Sequence, residues 1–311
     1  MTTAKTRFLV IGAGVNGSAY ATILSRAGAD VTLLARGRRC QEIRDHGVII
    51  EDPFTHAQTR TQVPVIDCLA PDDVYDYIIV FVRKNQAAAL LPVLAANRSQ
   101  TIVFSINNAS GTEEWTAALG KERVMLGSGV AGGKKVGEVV HAVIPKRLST
   151  PYGEINGAVS PRLRRLVQVL RSAGIKASVS TSMPDFWTNH SFIVPLVALP
   201  VMRHGGDLAA LAASTEELRL IVDAVRQALG VLRALGHRIV PSSTGIVRII
   251  PRFFIVMLFR RMLATKFVEV GLVWHTQQAP DEMMQLAEEA KALVAKSGLP
   301  VPAIRRVLEM E

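Results

Sequence analysis

In the first half of the chain, short apolar runs alternate with stretches whose apolar residues recur at helical spacing. That pattern predicts βαβ units around a parallel sheet. "RFLVIGAG" predicts a first strand, residues 14–27 a helix, "DVTLLAR" a second strand and "RCQEIRDHG" a helix ending near Gly47. "VIIED" and "QTRTQVPVI" predict an excursion of short strands. "YDYIIVFVR" and "QTIVFSINN" return to the sheet, with "QAAALLPVLAA" as the helix between them. "VMLGSG" and "EVVHAVI" predict two more strands around the glycine-rich "AGGKKVG". A helix over 161–173 and the strand "KASVSTS" close this half. Beyond Met183 strand alternation stops, and helices are expected over 184–202, 214–236, 243–268 and 279–297. The pattern divides the chain into domains 1–183 and 184–311.

Composition narrows the class without naming a function. The 311 residues are 49% hydrophobic and 20% charged, as in a globular protein with room for two cores. Two cysteines without CxxC spacing support neither a disulfide framework nor a structural zinc site. Together with an N-terminal apolar run too short for a signal-peptide core, they lead to the expectation of a cytoplasmic protein. The 36 basic and 26 acidic residues give a charge of +10, but the cations are scattered and no nucleic-acid-binding motif accompanies them. No nucleic-acid partner is expected. "SFIVPLVALPVM" and "FFIVMLF" are shorter than the roughly 18 to 20 residues that a spanning helix needs. "VRIIPRFFIVMLFRRMLATK" carries only basic charge among bulky apolar residues. It is expected as a buried or dimer-interface helix in a possible homodimer, with an anionic membrane surface as the alternative.

Chemistry first enters at "GAGVNGSAYA", where Gly12, Gly14 and Gly17 stand in GxGxxG spacing between a strand and a helix, with Val15 and Asn16 inside the motif. The spacing suits a tight turn, close approach of backbone to a pyrophosphate and helix-on-strand packing. The fold class expected is therefore α/β, a Rossmann-type doubly wound sheet followed by an all-helical C-terminal domain. An acid at the end of the second strand would favour NAD. "TLLARGRR" instead places Arg36 there, followed by Arg38 and Arg39, so a 2′-phosphate and hence NADP is the expected cofactor. The next sheet strands lead into Arg83 and Lys84 and into Asn107 and Asn108. In an open parallel sheet the ligand crevice lies outside these strand ends.

With these motifs in place the chain resembles the ketopantoate reductases (2-dehydropantoate 2-reductases), which reduce a 2-oxo acid with NADPH. The resemblance rests on the early GxGxxG, the arginine after the second strand, Gln86 three residues after Arg83, the "NNASGTEE" turn, the helical second half and "SGLPVPAIRRVLEM". It implies a cofactor-binding Asn107, a substrate-site Glu282 and a strand-end cation at Arg83, or at Lys84 with a one-residue slip.

The departures are in "DFWTNHSFIVPLVA". Asn189 falls where the family has its lysine general acid, Ile193 and Val197 fall on two substrate-gripping asparagines, and Val270 falls on a serine. Asparagine cannot supply the proton that carbonyl reduction needs. Lys84 and His190 are the candidates to replace it, His190 only if the helix is rotated, since neighbouring helical residues lie about 100° apart. With Glu282 they form the expected catalytic set. His275 and His237 have no partner at metal-ligand spacing, and no metal site is expected. The expected activity is NADPH-dependent reduction of a small-molecule carbonyl, either a 2-oxo acid or a bulkier, more apolar ketone. The alternatives are a non-catalytic NADP-binding sensor or scaffold and a peripheral-membrane reductase.

Overall fold

A computed structural model describes residues 5–129, 131–145 and 148–310. The first four residues and Glu311 of the expected domains lie outside them. Among the described residues the chain forms two compact units, Met1–Ile106 with Thr112–Met183, and Asn107–Gly111 with Pro184–Glu311. The turn 107–111 therefore belongs with the helical unit, although the sequence pattern assigns it to the sheet domain.

In the first unit, strands β1 (Arg7–Ile11), β2 (Asp30–Leu34), β3 (Val48–Glu51), β4 (Gln58–Thr61), β5 (Val65–Ile66), β6 (Tyr77–Val80), β7 (Ile102–Phe104), β8 (Val124–Gly127), β9 (Gly132–Val136), β10 (Val139–Val143), β11 (Thr150–Glu154) and β12 (Ala177–Val179) build two sheets. The larger runs β12-β11-β8-β7-β6-β1-β2-β5, and the smaller β4-β3-β10-β9. All neighbours in the larger sheet are parallel except β8 and β11. Its central strands are buried on both faces, which is why they read as unbroken apolar runs rather than alternating ones. Register matters for function: Ile11 pairs with Leu34 and with Val80, and Val80 with Phe104, so four strands end level. "AGGKKVG" is itself a strand: β9 pairs antiparallel with β10.

Helix α1 (Val15–Arg26) is buried along both sides. Tyr20, Ala21 and Leu24 join the core of the large sheet. Val15 and Ala19 pack against Val140 and Ala142 of the small one. Helix α2 (Gly37–His46) follows β2 after the two-residue link Ala35–Arg36.

The second unit is helical. Its longest members are Met183–Arg203, Thr215–Ala234 and Pro280–Ser297, packed through Phe192, Leu196, Ala224, Ala228, Leu229, Ala287, Ala290 and Leu293. The helix expected over 243–268 is broken instead. A 3-10 segment covers Ser242–Arg248, Pro251 restarts the chain as Arg252–Leu263, and Thr265 caps the short turn Lys266–Val268. Proline lacks the N–H and disfavours helix at the preceding residue, which accounts for the first break. Within the chain this segment is not a buried helix: Phe253, Phe254, Met257, Leu258 and Met262 are exposed. Among the described residues, no helix is long and apolar enough to cross a membrane.

Candidate functional site

The glycine loop lies between β1 and α1, at the level strand ends. Gly12 has φ +102°, and a Cβ on it would come within 2.6 Å of the Phe81 carbonyl oxygen. A Cβ on Gly17 would fall 1.7 Å from the Gly12 carbonyl oxygen, so only glycine lets α1 turn this tightly off the strand. Gly14 differs. A Cβ there would meet nothing within 4 Å, and the residue is the N-cap of α1 with no side chain capping it and no acid in the first turn. The helix thus presents backbone N–H groups and the positive end of its dipole to open space, which fits a pyrophosphate. Val15 and Asn16 are held on the protein side: Asn16 Oδ1 accepts from the Ala131 N–H at 2.8 Å, and Val15 packs on the small sheet.

The three arginines after β2 separate by role. Arg39 is nearly buried and spans from α2 to the glycine loop, donating to the Ala13 carbonyl at 3.3 Å, the Glu138 carbonyl at 3.1 Å and Ser18 Oγ at 3.4 Å. Its guanidinium also meets Glu42 Oε2 at 3.3 Å, and Arg38 Nε meets Oε1 at 2.9 Å. Burial raises the Glu42 carboxyl, but these cations and Lys135 outweigh it and hold the group below its ordinary range. Arg39 is therefore a brace. Arg36, the N-cap residue of α2, is exposed just past the end of β2, where a ribose substituent would be met.

Beyond β6 the chain passes through Phe81 and Val82 before Arg83, which caps the short helix Lys84–Ala87. The Arg83 N–H donates to Gln86 Oε1 at 3.3 Å and the Gln86 N–H to the Arg83 carbonyl at 2.9 Å. A glutamine three residues after the strand-end cation thus has a local reason: its side-chain oxygen satisfies the N-cap N–H of this short helix. Both side chains are half-buried.

The remaining candidates gather in the helical unit. Asn107 Nδ2 donates to Glu282 Oε1 at 2.9 Å, and Glu282 Oε2 lies 3.7 Å from His275 Nε2. Glu282 is 6% exposed, in the first turn of Pro280–Ser297, where the helix dipole favours a carboxylate. The 107–111 turn is pinned by the Asn108 N–H to Ser191 Oγ at 2.8 Å and the Ala109 N–H to Glu289 Oε2 at 2.7 Å. The polar cluster therefore rests on ordered backbone.

On the helix Met183–Arg203, Asn189 is buried, with its amide Nδ2 donating to the Arg238 carbonyl at 2.7 Å. His190 is exposed and stacks on Phe186 one turn earlier, centroids 5.9 Å apart and planes 5° apart. The helix is thus rotated so that residue 190, not 189, is outward. Surrounding protein, and secondly the His275 imidazole, disfavour the charged ring and lower its pKa to about 4. The ring still meets water, so the shift is smaller than full burial would give. Ile193 and Val197, three and seven residues on, share the helix face of Phe186 and His190 and are half-buried, while Val270 is buried.

Arg83 and Lys84 belong to the first unit, and His190, Glu282 and Asn107 to the second. Sequence spacing missed His275 as a neighbour of Glu282, because the backbone breaks at Ala279 between their helices. It also missed Phe186, whose four-residue spacing from His190 was the one available signal.

The family model of ketopantoate reductase PanE/ApbA matches residues 8–155. The uncharacterized oxidoreductase YkpB of Bacillus subtilis is 26% identical over 196 residues, 60% of this chain and 62% of that protein. A 2-dehydropantoate 2-reductase of Archaeoglobus fulgidus is 25% identical over 241 residues, 76% of this chain and 77% of the relative. Among solved structures, a D-mandelate dehydrogenase with NADH and anilino(oxo)acetate superposes with TM-score 0.80 at 14% identity, covering 98% of this chain and 96% of that one. A 2-dehydropantoate 2-reductase from Geobacter metallireducens gives 0.76 at 17%, covering 97% and 98%. At these identities the structural likeness is one of fold.

Proposed function

Because residues 8–155 match the ketopantoate reductase family model, we propose NADP-dependent interconversion of a carbonyl and an alcohol. The observation that carries this reading is the glycine loop, closed to a side chain at Gly12 and Gly17 and open at Gly14 over the head of α1. Arg36 supports NADP over NAD, because an exposed guanidinium, with no acid beside it in sequence, suits a 2′-phosphate. Bound nicotinamide would supply or take the hydride. Among this chain's own residues, Asn107 and Glu282 form a fixed polar pair that orients the polar end of the substrate. Ile193, Val197 and Phe186 favour an apolar substituent beside it, so a 2-oxo acid or ketone bulkier than ketopantoate is the proposed substrate class.

His190 takes over proton transfer from the position occupied by Asn189. With its pKa lowered, the ring is uncharged at neutral pH. It is therefore set to accept the hydroxyl proton when alcohol is oxidised, and only its protonated fraction serves carbonyl reduction. A second reading has its own observation. Asn189 is tied inward to Arg238, so the expected acid position does no chemistry, and a protein that binds NADP without turning it over would look the same there.

Fluorescence titration with NADPH and NADH tests the cofactor assignment. NADPH is expected to bind at least tenfold tighter, and Arg36→Ala to remove that preference by weakening NADPH alone, consistent with about 1.5–3 kcal/mol for hydrogen bonds to a charged group. Equal affinity for the two cofactors in the wild-type protein would sink it.

A further inference from the structure

The segment from Ile246 to Phe267 departs from the rest of the surface. It holds eight of the seventeen exposed large apolar residues found among the described residues, including Ile249 at 82% and Phe253 at 70%. On the helix Arg252–Leu263 the inner side is Val256 and Leu263. The opposite side presents Phe253, Phe254, Met257, Leu258 and Met262, an apolar face on the outside as well as the inside. Scattered apolar residues on a surface need no explanation, but a contiguous face of bulky ones does.

Its charge selects the occupant. Residues 246–268 contain Arg248, Arg252, Arg260, Arg261 and Lys266 and no acid. Arg252 is partnered by Asp223 at 2.6 Å, and Arg260 is tied to the Ala212 carbonyl and Thr215 Oγ1. Arg261 lies three and four residues after Leu258 and Met257, within the apolar face itself, and is exposed. A second copy would meet this patch with the same basic, acid-free patch across a two-fold axis, burying Arg261 in an apolar contact with no carboxylate within 246–268 to pair it. An anionic bilayer answers both features. Phenyl and thioether groups enter the acyl boundary, while Arg261 and the flanking Arg248 reach headgroup phosphates along their aliphatic stems.

We propose that this face docks the protein on an anionic lipid surface, with Arg252–Leu263 lying in the plane of the interface. The helix spans only 12 residues, short of a crossing, so the association is peripheral and reversible. The proposal stands independently of the catalytic reading, since it uses none of the same residues.

Co-sedimentation of the full chain with phosphatidylcholine vesicles, with and without about 30 mol% phosphatidylserine, tests it. Binding is expected to be roughly tenfold stronger with phosphatidylserine and to fall in high salt. It should be lost in Phe254→Ser/Leu258→Ser and reduced in Arg261→Glu, with thermal midpoints unchanged because these side chains are exposed. Equal binding to both vesicles, or none to either, overturns the proposal. A salt-stable dimer in sedimentation equilibrium, dissociated by Phe254→Ser/Leu258→Ser and without vesicle binding, would assign the face to a second copy instead.

Discussion

Asn189 and His190 are neighbours in sequence with different surroundings. The first spends its amide on the Arg238 carbonyl, and the second lies outward against Phe186. In the proposed reaction that difference moves proton transfer by one residue, and pH tests it. If His190 exchanges the proton, kcat/KM for reduction falls as pH rises above the lowered His190 pKa, and the oxidation of alcohol rises over the same range to a plateau. His190→Gln should flatten both profiles; an unchanged profile in that variant would return the role to another group. The same shift has a sign for stability. The unfolded chain protonates this histidine at higher pH than the folded one, so stability falls as pH drops below the ordinary histidine range. A thermal midpoint that loses less over that window in His190→Gln is the corresponding check.

At the scale of elements, the strand–turn–helix around Gly12, Gly14 and Gly17 was legible in sequence because each glycine answers a separate local demand. Two of those demands are steric and one is open space, which gives opposite expectations for substitution. Gly17→Ala should destabilise the protein by several kcal/mol and lose cofactor binding, since its Cβ would overlap the Gly12 carbonyl. Gly14→Ala should leave the thermal midpoint within a few degrees and weaken NADPH binding at least tenfold, because the methyl occupies space left for the ligand. Equal losses of stability in the two variants would contradict this division. The charged residues nearby were less legible. Arg36, Arg38 and Arg39 look alike in sequence, and only the fold shows Arg39 as a brace on Ala13 and Glu42, leaving Arg36 outward. In the helical half, apolar periodicity carried across 243–268 although Pro251 and the Thr265 cap interrupt it. Periodicity reports which residues are apolar; it does not report which of two apolar faces is covered.

For the whole molecule, fold and chemistry follow different parts of the sequence. The sheet unit could be read from alternating runs and one glycine motif, and the family match covers that part, residues 8–155. The helical unit keeps the architecture of solved structures at 14% to 17% identity, while Ile193, Val197 and Val270 stand where the resemblance to the ketopantoate reductases places polar residues. Its Asn107–Glu282–His275 cluster joins residues separated by up to 175 positions, which no local pattern announces. Fold is set by many apolar contacts that tolerate exchange, whereas substrate choice rests on a few polar groups, so the two can part. The most direct test is a single-turnover assay of reduced-nicotinamide absorbance with purified protein and NADPH, comparing ketopantoate with 2-oxo acids bearing aromatic or branched side groups. Turnover of the apolar substrates at least tenfold above ketopantoate, corresponding to about 1.4 kcal/mol or more of transition-state preference, is expected. Faster turnover of ketopantoate, or tight NADPH binding with no oxidation by any carbonyl, would contradict it.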